Sequence, residues 1–284
     1  MARTLMISER ELRRVAGRVG LGVGQAEHEY VILCVLDGLS RTPPLSETFC
    51  LKGGTALRYV YFADWRHSVD LDFTVLPDFP AERLKPGLGE WFGRVEELHG
   101  VQVSLRDFHQ ADGAVRARAR FVGPLRHPNR LLLDITLDEP VLLPPQRRPA
   151  GTDLFDELRP YVLCYTLEEI LAEKLRSILQ RGKARDYYDV WRLLREKADT
   201  FDWQTTRQVL SRKCEHKQLP EPSLEAFLSP VMLQEAAAYW SQDLIGQVPD
   251  GNLPAWDMVT AELGQLLADF SVPASHRHAR GCQV

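Results

Sequence analysis

The sequence is poor in several features that mark specialised protein classes. Its five cysteines, Cys34, Cys50, Cys164, Cys214 and Cys282, are odd in number, widely scattered and nowhere spaced Cys-x-x-Cys. Neither a disulfide framework nor a zinc ribbon fits, and a reducing compartment is expected. Long apolar runs are missing too. The longest, Val31 to Leu36, is too short to span a bilayer, and MARTLMISERELRR has no apolar core behind its charges. A cytoplasmic protein with no membrane partner is expected. There is no internal repeat and no low-complexity tract. Charge is nearly balanced, 35 basic against 39 acidic residues, for a net charge of -4 over 284 residues. That disfavours general coating of a polyanion but allows a local basic groove.

What is present is an ordinary globular composition, 44% hydrophobic and 26% charged, and a patterned chain. Ser8-x-x-Glu11 is a capping box opening a helix, and a second helix is expected over Ala26 to Leu39, ahead of Pro43-Pro44. Period-two segments then follow at Thr48–Leu51, Val69–Leu76, Val101–Phe108, Ala114–Val122 and Leu131–Leu137, with a helix from Gly89 to Leu98 among them. Three prolines between Val141 and Gly151 argue against regular structure there and mark a lobe boundary. Everything beyond reads as helical: Thr166-x-x-Glu169 caps a helix to about Gln180, Arg185 to Lys197 forms another, and Trp256, Val259, Leu263, Leu266 and Phe270 stripe a last one. The closing ASHRHARGCQV lacks a pattern and is expected to fray. The fold class is therefore α+β, with a mixed, mostly antiparallel five-stranded sheet flanked by helices in an N-terminal lobe (1–150) and a helical C-terminal lobe (151–284).

Five places carry chemistry. In FCLKGGTALRYVYF a short strand ends at Lys52 and a helix begins near Ala56. Gly53 and Gly54 let the backbone approach a ligand, and N–H groups at the helix start suit an anion. Thr55 reads as N-cap or phosphate contact, with Arg58 within reach of the same anion; a plain capped turn is the alternative. In Arg66-His67-Ser68-Val69-Asp70-Leu71-Asp72-Phe73, alternation sends Val69, Leu71, Phe73 and Val75 inward and puts Ser68, Asp70, Asp72 and Thr74 on the other face. Two crowded carboxylates repel unless solvent or a divalent cation screens them. Asp134 interrupts the apolar strand Leu131–Leu137 as a possible third acid beside that pair. Lys174 falls in the middle of the apolar stripe 167, 170, 171, 175 and 178, where it must snorkel, meet a carboxylate or face phosphate. Asp186 and Asp189 lie in the first turns of the next helix, where acids also simply suit the helix dipole.

Two basic features complete the reading. From Leu171 to Lys197 eight basic residues oppose four acids, 8 - 4 = +4, a candidate polyanion patch. Arg116, Arg118 and Arg120 alternate along one strand, as either a solvated face or an RNA contact.

Taken in order, Gly-Gly-Thr at a strand–helix turn, Ser-x-Asp-x-Asp on the next strand, a later strand Asp, a helix with Glu-Lys and then Arg-Asp-Tyr-Tyr-Asp resemble the AbiEii family of nucleotidyltransferase toxins, including the MenT-type toxins of toxin–antitoxin systems, over about Phe49 to Leu194. The resemblance implies a polymerase-β-like, metal-dependent nucleotidyltransferase. Gly53, Gly54, Thr55, Arg58, Ser68 and Lys174 would bind an NTP. Asp70, Asp72 and Asp134 would hold Mg²⁺ or Mn²⁺. Asp70, Asp72, Asp134, Lys174 and Asp186 would form the catalytic set, Asp186 being preferred to Asp189. It further implies an RNA acceptor, the tRNA 3′ end, whose modification blocks translation, and a cognate antitoxin protein as partner. Transfer to a small hydroxylated molecule such as an aminoglycoside, and a non-catalytic nucleotide-binding regulator, remain alternatives.

Overall fold

The computed structural model describes residues 6–77, 79–111, 113–249 and 252–271, the side chains of 269–271 excepted. The patternless tail lies outside the described residues. The chain forms two compact units that meet between Tyr165 and Thr166.

The first unit opens with α1 (Glu9–Arg18), where Ser8 accepts the Glu11 N–H at 3.1 Å as the capping box requires. Next comes α2 (Val23–Ser40), which is apolar around most of its circumference and buries every residue from Tyr30 to Leu39. A short α3 (Leu45–Thr48) leads into β1 (Phe49–Lys52), α4 (Gly53–Ala56) and a wider π turn over Leu57–Tyr61. β2 (Asp70–Val75) is followed by α5 (Leu84–His99), stopped by Gly100 in the left-handed region at φ 66°. Then come β3 (Gln102–Ala111), β4 (Ala114–Val122), β5 (Pro128–Thr136), β6 (Gln146–Pro149) and β7 (Tyr161–Cys164).

All seven strands join one sheet in the order β3-β4-β5-β2-β1-β7-β6. It is mixed and mostly antiparallel, as expected, with parallel pairing at β2–β5 and β1–β7. The expected count of five strands is corrected to seven. The stretch around the three prolines contributes β6, and β7 interrupts what read as uniformly helical. β6 is a wholly exposed edge strand ending on Pro149. Charge and proline are usual on edges, and they leave no apolar alternation to read.

One face of the sheet is the core. Leu71 and Phe73, Leu131, Leu133 and Ile135, and Val115, Ala117, Ala119 and Phe121 are all buried. Trp91 of α5 stands edge-on to Phe49 and Phe73 with ring centroids 6.1 and 5.8 Å away, and its indole N–H donates to the Val35 carbonyl at 2.7 Å, which joins α5 to α2. The two helices cross so closely that a Cβ on Gly38 would lie 2.4 Å from Val95 Cγ2. Val69 is the exception to the expected pattern. It precedes β2 and is exposed.

The second unit is helical: α6 (Leu167–Arg181), α7 (Ala184–Lys197), α8 (Trp203–His216), α9 (Leu224–Phe227), α10 (Pro230–Leu244) and α11 (Trp256–Ser271). Thr166 caps α6 by accepting the Glu169 N–H at 3.3 Å, as the sequence indicates. Asp202 does the same for α8, accepting from the Gln204 and Thr205 N–H groups. α8 packs on α6, and α10 and α11 on α7, around Tyr187, Tyr188, Trp240 and Trp256. On α11 the stripe buries Val259, Leu263 and Leu267, one position on from the expected Leu266. Among the described residues no helix is long and apolar enough to cross a membrane.

Candidate active site

β2 occupies the middle of the seven-stranded sheet, so its outward side chains have strands on both sides. Asp70 and Asp72 are two residues apart on that face, about 6.7 Å along the strand. Parallel pairing with β5 sets Asp72 opposite Asp134 and Asp70 opposite Leu132. Antiparallel pairing with β1 sets Asp72 opposite Lys52 on the other side. The three aspartates thus share one face on adjacent strands.

Their side chains do not converge. Asp134 Oδ1 instead meets Arg116 Nε of β4 at 3.1 Å, in a pair with 50% and 76% of its side chains exposed. Such an exposed pair contributes little stability and exchanges readily for other partners. Among the described residues no group of three His, Cys, Asp or Glu side chains is drawn together as a metal site. The three acids thus share a face, with Asp134 held by Arg116.

The glycine turn lies directly on this face. Gly53 is in the left-handed region at φ 68°, and a Cβ there would come within 2.6 Å of Asp72 Oδ2. A Cβ on Gly54 would lie 2.9 Å from Arg66 Nη2 and 3.1 Å from Ser68 Oγ. Two side chains are missing here so that backbone can touch carboxylate, hydroxyl and guanidinium. Gly53→Ala therefore combines about 1–2 kcal/mol of left-handed strain with displacement of Asp72. Thermal melting should show a modest loss of stability, and turnover should fall at least about tenfold; unchanged turnover would remove Asp72 from the chemistry.

Thr55 and Arg58 are committed elsewhere than the sequence suggested. The helix begins at Gly53, not near Ala56, so Thr55 is inside it and caps nothing. It is fully buried; its hydroxyl donates to the Asp70 carbonyl and stands 2.9 Å from Ser68 Oγ, tying the turn to the start of β2. Arg58 faces backward into the unit, paired with Glu29 of α2 at 2.9 Å and donating to the Ala63 carbonyl. His67 meets the same carboxylate through Nδ1. Burial pushes the Glu29 carboxyl up, but the His67 hydrogen bond and the charges of Arg58 and His67 outweigh it and hold it below the usual carboxylate range.

Sequence reasoning passed over two residues at this turn. Arg66 is buried against Gly54, and Lys52 is buried at the end of β1, with Nζ 2.8 Å from Glu139 and 3.3 Å from Thr136 Oγ1. The available signal was a cation immediately before Gly-Gly on a strand otherwise entirely apolar.

In the second unit Lys174 meets carboxylates: Asp186 Oδ1 at 3.2 Å and Asp189 Oδ2 at 2.8 Å, with Arg181 Nε 3.0 Å from the other oxygen of Asp186. Both acids are almost wholly buried. Burial pushes the Asp186 carboxyl up, yet Lys174 and Arg181 overcome that and hold it below its ordinary value. A second buried pair, Lys213 with Glu169 at 3.1 Å, fixes α8 to α6.

Ion pairing leaves the +4 of Leu171–Lys197 almost as counted, since Glu173, Asp186, Asp189 and Glu196 are the four acids already in the sum and Glu262 alone lies outside it. Lys174, Arg176, Arg181, Arg192 and Arg195, five of the eight basic residues, have carboxylate partners within the unit.

An Asp-x-Asp strand beside a glycine turn, with a third acid in register on the parallel neighbour, is the arrangement of a nucleotidyltransferase. The comparisons with known proteins agree. The family model for the nucleotidyl transferase AbiEii toxin of a type IV toxin–antitoxin system matches residues 35–262, and the chain belongs to that family. Among solved structures it is similar to MenT4, a nucleotidyltransferase toxin from Mycobacterium tuberculosis H37Rv, at 19% identity and a TM-score of 0.68 over 95% of this chain and 91% of that one. None of the curated proteins matches it.

Proposed function

We propose that this toxin transfers a nucleoside monophosphate from an NTP to an RNA hydroxyl, the 3′ end of tRNA being the favoured acceptor, and thereby blocks translation. The observation that carries the reading is the placing of Asp70, Asp72 and Asp134 on one open sheet face with the Gly53–Gly54 turn pressed against Asp72. These hard oxygen donors fit a divalent cation such as Mg²⁺ or Mn²⁺, with Asp70 and Asp72 as its holders and Asp134 able to join them on release from Arg116. When bound, the ion supplies charge neutralisation at the phosphoryl oxygens.

The chain's own residues do the rest. Backbone N–H groups of the glycine turn and Ser68 face the triphosphate. The acceptor oxygen forms a bond to the α-phosphorus as the bond to the bridging oxygen breaks, and pyrophosphate leaves. The proton of the attacking hydroxyl passes to a carboxylate, for which Asp134 is the candidate. A cognate antitoxin is the implied protein partner.

The test is incubation with each labelled NTP separately, Mg²⁺, and either unfractionated tRNA or a panel of aminoglycosides. Label is expected at the tRNA 3′ end. Label on small molecules alone would replace the RNA reading with the small-acceptor one, and nucleotide binding without pyrophosphate release would leave a regulator.

A further inference from the structure

The sheet face that carries the aspartates also carries a ladder of arginines. Arg116, Arg118 and Arg120 alternate along β4 and are all exposed, and β5 adds Arg130, exposed and directly opposite Arg120. Arg116 pairs with Asp134 and Arg118 with Asp107 of β3 at 3.7 Å. Arg120 and Arg130 face one another in register with no ion pair to any described residue. Like charges directly opposite across two strands destabilise a sheet, and an anion lying over both removes the penalty.

Position decides what that anion is. In the sheet register Arg118 stands level with Asp70 across Leu132, and Arg116 level with Asp72 across Asp134. The ladder runs alongside the carboxylate pair, two strand spacings or about 10 Å away. Its rungs are about 6.7 Å apart, close to the separation of successive phosphates in one RNA strand. Guanidinium forks match phosphate oxygens in pairs. In a chain of net charge -4 such attraction is local to this face.

We infer that Arg116, Arg118, Arg120 and Arg130 form the track for the sugar–phosphate backbone of the acceptor RNA, leading its reacting end toward Asp70 and Asp72. The inference rests on the RNA-transfer reading and adds the route by which the acceptor arrives. On this track Arg116 has a double part: it binds phosphate in place of Asp134, and the same exchange frees Asp134 toward the other two acids.

The experiment compares the wild-type chain with the double variant Arg120→Ala/Arg130→Ala, using unfractionated tRNA and labelled NTP over a range of salt. The variant is expected to raise the tRNA KM at least about tenfold and leave the NTP KM unchanged. It should also make log affinity against log salt shallower by about two, one for each lost phosphate contact. Without RNA it should melt no lower than the wild type, since a repulsion has been removed. Arg120→Lys/Arg130→Lys should restore most of the salt slope. An unchanged tRNA KM and salt slope in the alanine variant overturns the track while wild-type labelling of tRNA keeps the RNA reading. Failure of the wild type to bind or label tRNA removes both.

Discussion

Asp72→Asn is expected to lower turnover by on the order of 10³-fold or more, with a melting temperature close to that of the wild type. The two halves follow from different features of one side chain. Asp72 stands between Lys52 and Asp134 in the sheet register and touches the glycine turn, so a ligand held by that turn is held against this carboxylate. Asparagine keeps the shape that packs on Gly53 but loses the charge. Meanwhile Asp70 and Asp72 are only half-buried, so an amide of the same size is accommodated there with little disturbance of packing. Asp70→Asn should behave in the same way. The measurement is kcat and KM for the NTP beside a thermal melt and circular dichroism. An active Asp72→Asn chain would contradict the site assignment. An unfolded one would make the acid a structural element.

The sequence showed much of this arrangement because a sheet with one buried face writes itself as period-two alternation. β2, β3, β4 and β5 were visible for that reason, and the register of β2 with β5 then decided which acids are neighbours. Alternation fails for β6, which has no buried residue, and β7 is too short, at four residues, for a period to show. The glycine turn was legible because Gly53 has a positive φ and Gly54 a crowded site, requirements that only glycine meets. The directions of Thr55 and Arg58 were not. The helix starts at Gly53 rather than near Ala56, and Arg58 falls in the wider Leu57–Tyr61 turn, where the regular 100° step no longer holds and the side chain reaches Glu29.

The charge count, for its part, does not say which cations stay open to a ligand. A net charge summed along a segment assumes that its residues face solvent, and the basic residues of α6 and α7 pair instead with acids one turn away or on another helix. On β4 the cross-strand neighbours decide it case by case: Arg116 and Arg118 meet Asp134 and Asp107, whereas Arg120 lies between Ser104 and Arg130, neither of them an acid.

Lys174 gives the second large effect. Lys174→Ala is expected to destabilise the chain by about 3–5 kcal/mol, the usual cost of leaving buried charges without their partner. Both Asp186 and Asp189 would lose it, and Arg181, which is 52% exposed, reaches Asp186. Melting temperature should fall by many degrees, and any loss of transfer at working temperature would then include loss of folded protein. Separating the two needs turnover measured well below the variant's melting point, where a residue that also touches nucleotide still shows a raised NTP KM. Acid offers an independent check on the same triad. Asp186 has a depressed folded value, so its contribution is present above the ordinary aspartate pKa of 3.8 and is lost as pH falls through the lower folded value. Wild-type stability should therefore drop below about pH 4, and the Lys174→Ala chain should lose less over that interval, because without the lysine burial raises the Asp186 carboxyl toward or above its unfolded value. Equal acid sensitivity in the two chains would mean that the Lys174–Asp186 contact does not set that carboxyl's charge.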